Sequence, residues 1–113
     1  MADCLFCKIV DKEMDSDIVH ESDDVVAFRD LRPAGPTHLL VVPRRHVASA
    51  AELTGADSGL LGALFEAISS LARSEGLDGG YRVVTNVGPD AGQSVSHLHF
   101  HLIGGRRLAW PPG

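Results

Sequence analysis

Residues 95–103 read Val95-Ser96-His97-Leu98-His99-Phe100-His101-Leu102-Ile103. Three histidines alternate with three large hydrophobes. In an extended chain, residues two apart share a face. The segment therefore predicts a strand over 95–103, with imidazoles on one side and hydrophobes on the other. Neighbouring histidines in such a row stand about 6.6–7 Å apart, from the rise of a strand. The hydrophobic row needs something to pack on. Leu61, Leu64, Phe65, Ile68, Leu71 and Ala72 supply it, because they fall at the i, i+3, i+4, i+7 spacing of a helical face. A histidine strand with a long amphipathic helix against its back is the unit from which the fold is read.

Working outward, Thr54 and Asp57 have the spacing of a capping box, and Gly76-Leu77 that of a helix stop with an apolar contact behind it. Residues 4–13 predict a short helix with Leu5, Phe6 and Ile9 facing inward. Residues 18–21 and 25–29 read as strands around the turn Ser22-Asp23-Asp24, and residues 32–36 as a loop. Residues 38–42 read as a strand ended by Pro43, and residues 81–87 as a strand following Asp78-Gly79-Gly80. Strands precede and follow one long helix without regular alternation. The expected fold class is α+β, with an antiparallel sheet, in a single domain over residues 1–113.

Composition narrows the function classes. Hydrophobic residues make up 44% and charged residues 22%, which is a globular balance. The net charge of −5 argues against a binder of nucleic acid polymer, which would gather Lys and Arg. A single nucleotide needs only a few placed donors and is not opposed by that charge. No stretch reaches the roughly 18 residues of a membrane span, and the start MADCLFCKIV has neither a positive n-region nor an apolar h-region. The two cysteines, Cys4 and Cys7, form a C-x2-C pair, which suits a metal half-site or a redox pair in a reducing compartment. No thioredoxin-like context surrounds them, so the metal reading leads. The expectation is a cytoplasmic protein with no membrane association.

The histidine row is preceded by Gly92-Gln93-Ser94. Such residues present backbone N–H groups and a hydroxyl at close range, which suits a phosphate. A neutral imidazole above a phosphate is a nucleophile or an acid–base group near pH 7. Blander readings exist for each part. The row by itself could be a polar strand face or a three-histidine metal site. Phe6, Ile9, Phe28 and Leu31 read alone are core, Asp30 is a turn aspartate, and His20 is a surface residue.

The segment Gly92-Gln93-Ser94-Val95-Ser96-His97-Leu98-His99-Phe100-His101 resembles the signature of the histidine triad (HIT) superfamily. Ala27-Phe28-Arg29-Asp30-Leu31, Pro36-Thr37-His38, Val42-Pro43-Arg44-Arg45-His46, Gly80-Tyr81-Arg82 and the tail ending Trp110-Pro111-Pro112-Gly113 extend the resemblance over nearly the whole chain. It is closest to the branch of histidine triad nucleotide-binding proteins. That resemblance implies a sheet of about five strands with one long and one short N-terminal helix. It implies a purine nucleoside phosphoramidase that works through a nucleotidyl-histidine on His99. His101 and His38 would serve the phosphate and the tautomer, and Asn86, Gly92, Gln93, Ser94 and Val95 the phosphate shell. Asp30 would take the ribose hydroxyls, and Phe6, Ile9, Phe28, Arg29 and Leu31 the base. It also implies a closed, structural Zn2+ site of Cys4, Cys7, His46 and His97, no organic cofactor, and a homodimer. A diadenosine polyphosphate hydrolase and a nucleotide-binding scaffold are the alternatives.

Overall fold

The computed structural model describes residues 4–113. Cys4 caps a short helix, α1 (Leu5–Val10), its Sγ accepting the Cys7 N–H at 3.3 Å. Strands β1 (Ile18–Glu21), β2 (Val25–Arg29) and β3 (Thr37–Pro43) follow, then the long helix α2 (Ser58–Ser74), then β4 (Tyr81–Val84) and β5 (Phe100–Gly104). The five strands form one antiparallel sheet in the order β1-β2-β3-β5-β4. Among the described residues no helix is long and apolar enough to cross a membrane.

Both faces of the sheet centre are covered. On one face Val25, Ala27, Leu39, Val41, Leu98, Phe100 and Leu102 pack with α2. On the other, Val26, Phe28, Leu40 and Val42 pack with Phe6, Ile9 and Val10 of α1. Burial on both sides is why β3 reads as an unbroken apolar run, with every residue from Thr37 to Pro43 buried. His38 shares the parity of Leu40 and Val42, so it stands on the α1 face.

The long helix forms as its periodicity predicts. Leu64, Ala67, Ile68, Leu71 and Ala72 are its buried stripe. Phe65 lies 100° round from Leu64 and is 46% exposed, leaning only its edge on Phe100 with ring centroids 5.3 Å apart. The capping box is present, with Thr54 N–H donating to Asp57 Oδ2 at 2.9 Å; it caps a short 3-10 turn, Gly55–Asp57, that runs into α2. At the other end Gly76 has φ +72, and Leu77 N–H closes on Ala72 O at 2.9 Å while its side chain enters the core.

Two strand boundaries and the facing of one helix residue differ from expectation, each for a local reason. Strand β5 begins at Phe100, not at Val95. Its partner on β3 would next offer Pro43, which has no N–H and whose carbonyl takes the His97 ring at 2.8 Å. On the other side β4 stops at Val84 and not Val87, because the Thr85 hydroxyl replaces a backbone group in bonding His99 O at 2.9 Å. Residues 97–99 stay extended enough to keep the alternation. In α1, Leu5 points outward, and Phe6, Ile9 and Val10 are the buried face. His20 is half-buried on the edge strand β1, opposite Ala27.

Leu64 has no exposed surface between α2 and the sheet. Leu64→Ala is expected to lower unfolding stability by about 2–5 kcal/mol, measured as a reduced urea midpoint with the m-value unchanged.

Candidate active site and metal centre

The histidine row is covered, not solvent-facing. His97 and His99 are buried, and Phe6 of α1 sets its edge against His99 with centroids 4.9 Å apart. Phe6 also stacks edge-on with Phe28 at 5.3 Å, so α1 and β2 together wall the row.

Hydrogen bonds fix which ring nitrogen is free. His99 Nδ1 lies 2.6 Å from His97 O. A carbonyl only accepts, so Nδ1 carries the proton and Nε2 of the neutral ring keeps its lone pair. His97 Nε2 donates to Pro43 O at 2.8 Å by the same logic, leaving Nδ1 as the free donor atom. His38 Nδ1 accepts the Ala34 N–H at 2.9 Å, so the neutral ring holds its proton on Nε2 and gives it to His101 Nδ1 at 2.8 Å. His101 is thereby left with an Nε2–H. The chain thus presents one lone pair, on His99, beside one ring N–H, on His101, with ring centroids 5.1 Å apart.

Neutrality is supported by burial. Desolvation first, then His99 and His38, push His101 down to about 4. Desolvation also lowers His38, opposed by Asp30, whose Oδ2 is 3.4 Å from His38 Nε2. At neutral pH this is a neutral ring beside a carboxylate.

A slot of about 390 Å3 opens onto these rings. Its walls bring together Phe6, Ile9, Phe28, Leu31 and Val95 as the apolar part, and Asp30, Ser94, His99 and His101 as the polar part. Arg29 borders the slot, but its guanidinium is held by Glu75 at the end of α2, at 2.9 and 3.0 Å, with Asp17 at 3.5 Å. That pairing raises Arg29 above its ordinary pKa and holds its guanidinium against the end of α2. Asn86 is not in the slot. It lies across His101 in a second cavity, because the chain turns away after β4. Gly92, with φ +79, and Gln93 are also outside it. The Gln93 side chain braces the loop, accepting from Gly88 N–H at 2.9 Å and donating to Ala48 O and Val95 O at 2.8 and 3.0 Å. Leu5, Met14, Asp15, Ser16, Arg32 and Leu40 line the slot without having been foreseen. Leu40 was findable, since it is two residues from His38 on one strand face. The others sit in loops and at the α1 mouth, where no period marks them.

Cys4, Cys7, His46 and His97 converge behind the row, their ligand atoms within 4.8 Å of one another. Cys4 Sγ to His97 Nδ1 is 3.3 Å, Cys7 Sγ to His46 Nδ1 3.4 Å and to His97 Nδ1 3.5 Å, and the two Nδ1 atoms are 3.2 Å apart. Tetrahedral zinc, with Zn–S near 2.3 Å and Zn–N near 2.0–2.1 Å, demands S···N edges of about 3.5 Å and an N···N edge of about 3.3 Å. The donor set fits. Burial, followed by the Cys4 contact, pushes the Cys7 thiol up to about 11, so without a cation Cys7 is protonated. The second convergent group, Asp30, His38 and His101, has two of its donors already bonded to each other. Among the described residues neither group contains all three histidines of the row, so a three-histidine metal site is not assembled.

Comparison with known proteins agrees with this geometry. A HIT domain matches residues 11–108. A 14 kDa zinc-binding protein of Brassica juncea is 45% identical, covering 98% of this chain and 100% of its own. The crystal structure of a HIT family hydrolase from Legionella pneumophila superposes with a TM-score of 0.96 at 46% identity, over 98% of this chain and all of that one. A histidine triad nucleotide-binding protein from Candida albicans superposes with a TM-score of 0.83 at 30% identity, over 96% of this chain and 83% of that one.

The depressed histidines have a consequence for stability. The unfolded chain titrates His101 near 6.5 and the fold near 4, so the unfolded state binds more protons between those values. Stability is full above pH 6.5 and falls as the pH drops toward 4. In thermal scans His101→Asn is expected to show a shallower loss of Tm across this window than the unsubstituted chain.

Proposed function

The chain belongs to the HIT domain family, and from that premise we propose that it hydrolyses purine nucleoside 5′-phosphoramidates through a nucleotidyl-histidine. One observation carries the proposal: the proton on His99 Nδ1 is tied to His97 O at 2.6 Å, so the Nε2 lone pair faces the slot. A nucleophile held in one tautomer needs no reorganisation before attack.

In the first step His99 Nε2 bonds to the α-phosphorus. The P–N bond breaks, its electron pair stays on the amine nitrogen, and that nitrogen gains a proton from solvent. The imidazole becomes cationic as this bond forms, and the carbonyl of His97 faces the N–H that carries the growing charge. His101 offers its Nε2–H to a phosphoryl oxygen, with Ser94 on the slot side and Asn86 on the far side. In the second step water attacks phosphorus and gives up a proton to solvent, the bond from phosphorus to His99 Nε2 breaks, its electron pair returns to Nε2, and His99 leaves as the neutral ring. His38 acts through His101, fixing its proton on Nε2. Phe6, Ile9, Phe28 and Leu31 receive the base, and Asp30 the ribose hydroxyls. Asp30 Oδ1 already accepts the Arg32 N–H at 2.8 Å, which holds the carboxylate in place.

The Cys4, Cys7, His46 and His97 cluster is assigned to zinc, as in the name of the Brassica juncea relative. All four positions are protein donors, so the ion is structural. Zinc, when bound, neutralises two thiolates and ties α1 to His97. The homodimer fits the edge position of β4 with its half-exposed Tyr81, and the half-exposed Phe65 of α2. Thiols held as metal donors suit a reducing, cytoplasmic setting.

His99→Asn is expected to lower kcat on adenosine 5′-phosphoramidates by about a thousandfold or more while AMP still binds, measured by turnover and calorimetry. Retained turnover would overturn the role given to His99. Metal analysis of protein purified without chelator is expected to find about one zinc per chain, and Cys4→Ser with Cys7→Ser to remove it.

A further inference from the structure

The floor of the slot follows one line across the sheet. His101 is opposite Leu40, Leu40 is opposite Phe28, and Phe28 is opposite Ile18. Cross-strand partners share a face, and neighbouring strands stand about 4.8 Å apart, so Phe28 lies about 10 Å and Ile18 about 14 Å from the His101 position. Residues 14–16 come just before Ile18 and line the slot at this far end. They are tied down by the residue that follows them. The Arg29 N–H donates to Asp17 O at 3.0 Å, and the Arg29 guanidinium stands 3.5 Å from the Asp17 carboxylate. With phosphorus at His99 and the ribose at Asp30, the edge of the base farthest from the sugar reaches this end. It is the sheet edge opposite β4, so a partner docked on β4 leaves it open.

Apolar walls do not tell one purine from another, because adenine and guanine lay similar flat faces on Phe6, Ile9 and Phe28. The choice falls to the polar residues at the far end, which are Asp15, Ser16, Arg29 and Arg32. Arg29 is spoken for. It follows Phe28 in the strand, so its side chain leaves by the α2 face, where Glu75 and Asp17 hold it. The Ser16 hydroxyl donates or accepts and is neutral between the bases. Asp15 and Arg32 remain. Both are exposed, and among the described residues neither joins an ion pair. The Arg32 backbone is anchored all the same, by its N–H on Asp30 Oδ1 at 2.8 Å. A carboxylate only accepts and a guanidinium only donates, so this end of the slot offers one of each.

Guanine answers both. Its N1–H and N2–H2 donate side by side, which suits a carboxylate, and its O6 and N7 accept side by side, which suits a guanidinium. Adenine sets a lone pair at N1, where the carboxylate needs a donor, and an amine at C6, where the guanidinium needs an acceptor. We propose that Asp15 and Arg32 are specificity-determining residues that select guanine, so that guanosine 5′-phosphoramidates are the preferred substrates. The inference deepens the phosphoramidase reading and rests on its placement of phosphate, ribose and base. Neither residue reaches the phosphorus, so the covalent steps are unchanged.

The test measures binding of the 5′-monophosphates of guanosine, inosine, adenosine and xanthosine by calorimetry. Alongside it runs turnover of guanosine and adenosine 5′-phosphoramidates that share tryptamine as the leaving amine. Inosine lacks only the C2 amine of guanosine, and guanosine monophosphate is expected to bind about tenfold tighter, the size of one exposed charge-assisted hydrogen bond. Adenosine monophosphate binds more weakly than inosine monophosphate, and in Arg32→Ala that margin shrinks by about threefold or more. In turnover the preference for guanosine appears in KM, with kcat equal within about twofold. In Asp15→Asn the side chain both donates and accepts, so the order inverts: xanthosine monophosphate, with an oxygen at C2, binds tighter than guanosine monophosphate. A merely structural role for Asp15 would not exchange one base for another. Ribose 5-phosphate, which has no base, is the reference for an intact site in each variant. Equal binding of guanosine and adenosine monophosphates, or a guanosine preference that persists in Asp15→Asn, overturns the proposal. A guanosine preference in binding with turnover of neither phosphoramidate supports the base assignment and overturns the phosphoramidase reading, a different result from equal turnover of both.

Discussion

The ring and backbone of His97 hold the site together. Its Nε2–H is fixed by the Pro43 carbonyl, its Nδ1 turns to the cysteine pair, and its own carbonyl holds the proton of His99. Each contact forces the next, because a carbonyl can only accept and a neutral imidazole has one proton to give. Pro43 is the anchor of this order. It closes the β3–β5 ladder for want of an N–H, and its carbonyl, released from the ladder, is free for the ring. A residue with an N–H at 43 would allow the ladder to continue to Leu98 and would compete for the geometry on which the tautomers rest.

The histidine residues therefore do different work despite their even spacing. His97 belongs to the rear of the row, with Cys4, Cys7 and His46. His99 and His101 belong to the front, where the slot opens. The division follows from where the strand starts. His101 sits in the ladder between β3 and β4, so its ring is set by sheet geometry and by His38. His97 and His99 precede the ladder, so their rings are set by backbone carbonyls. A cysteine–histidine cluster and a slot-facing imidazole pair share one short segment because ring nitrogens of adjacent histidines are oriented by separate partners.

Local patterns made much of this visible from sequence. The alternation of His97, His99 and His101 with Leu98, Phe100 and Leu102 predicted two faces correctly, since alternation needs only an extended backbone and survives the early end of the ladder. The stripe on α2, the capping box and the glycine stop are also local; all formed, with Phe65 left half-exposed and the box closing the 3-10 turn that runs into the helix. The apolar slot and Asp30 were legible through family resemblance and not through period. What stayed hidden depends on distance across the fold. Nothing in the sequence links Arg29 to Glu75, 46 positions away, yet that pair ties the Arg29 guanidinium to the end of α2 while the residue borders the slot. Gln93 looked like part of a phosphate loop, but its amide reaches Ala48, 45 positions away, and is used up in bracing. Leu5 faced outward because Phe6, Ile9 and Val10 had the better spacing for burial.

Helix α1 has six residues, far fewer than the 12–15 at which an isolated helix becomes marginal in water. It persists by what it docks on, which is the Phe28 and Val42 surface and the cluster around His97. Helix α1 therefore opens at a lower local free energy than the sheet centre beneath it. Undocking of this one helix would strip Phe6 and Ile9 from the slot and leave the five-stranded sheet intact. The shape of the slot is then a thermodynamic property of the N-terminal segment, separable from the folding of the sheet that carries the histidine row.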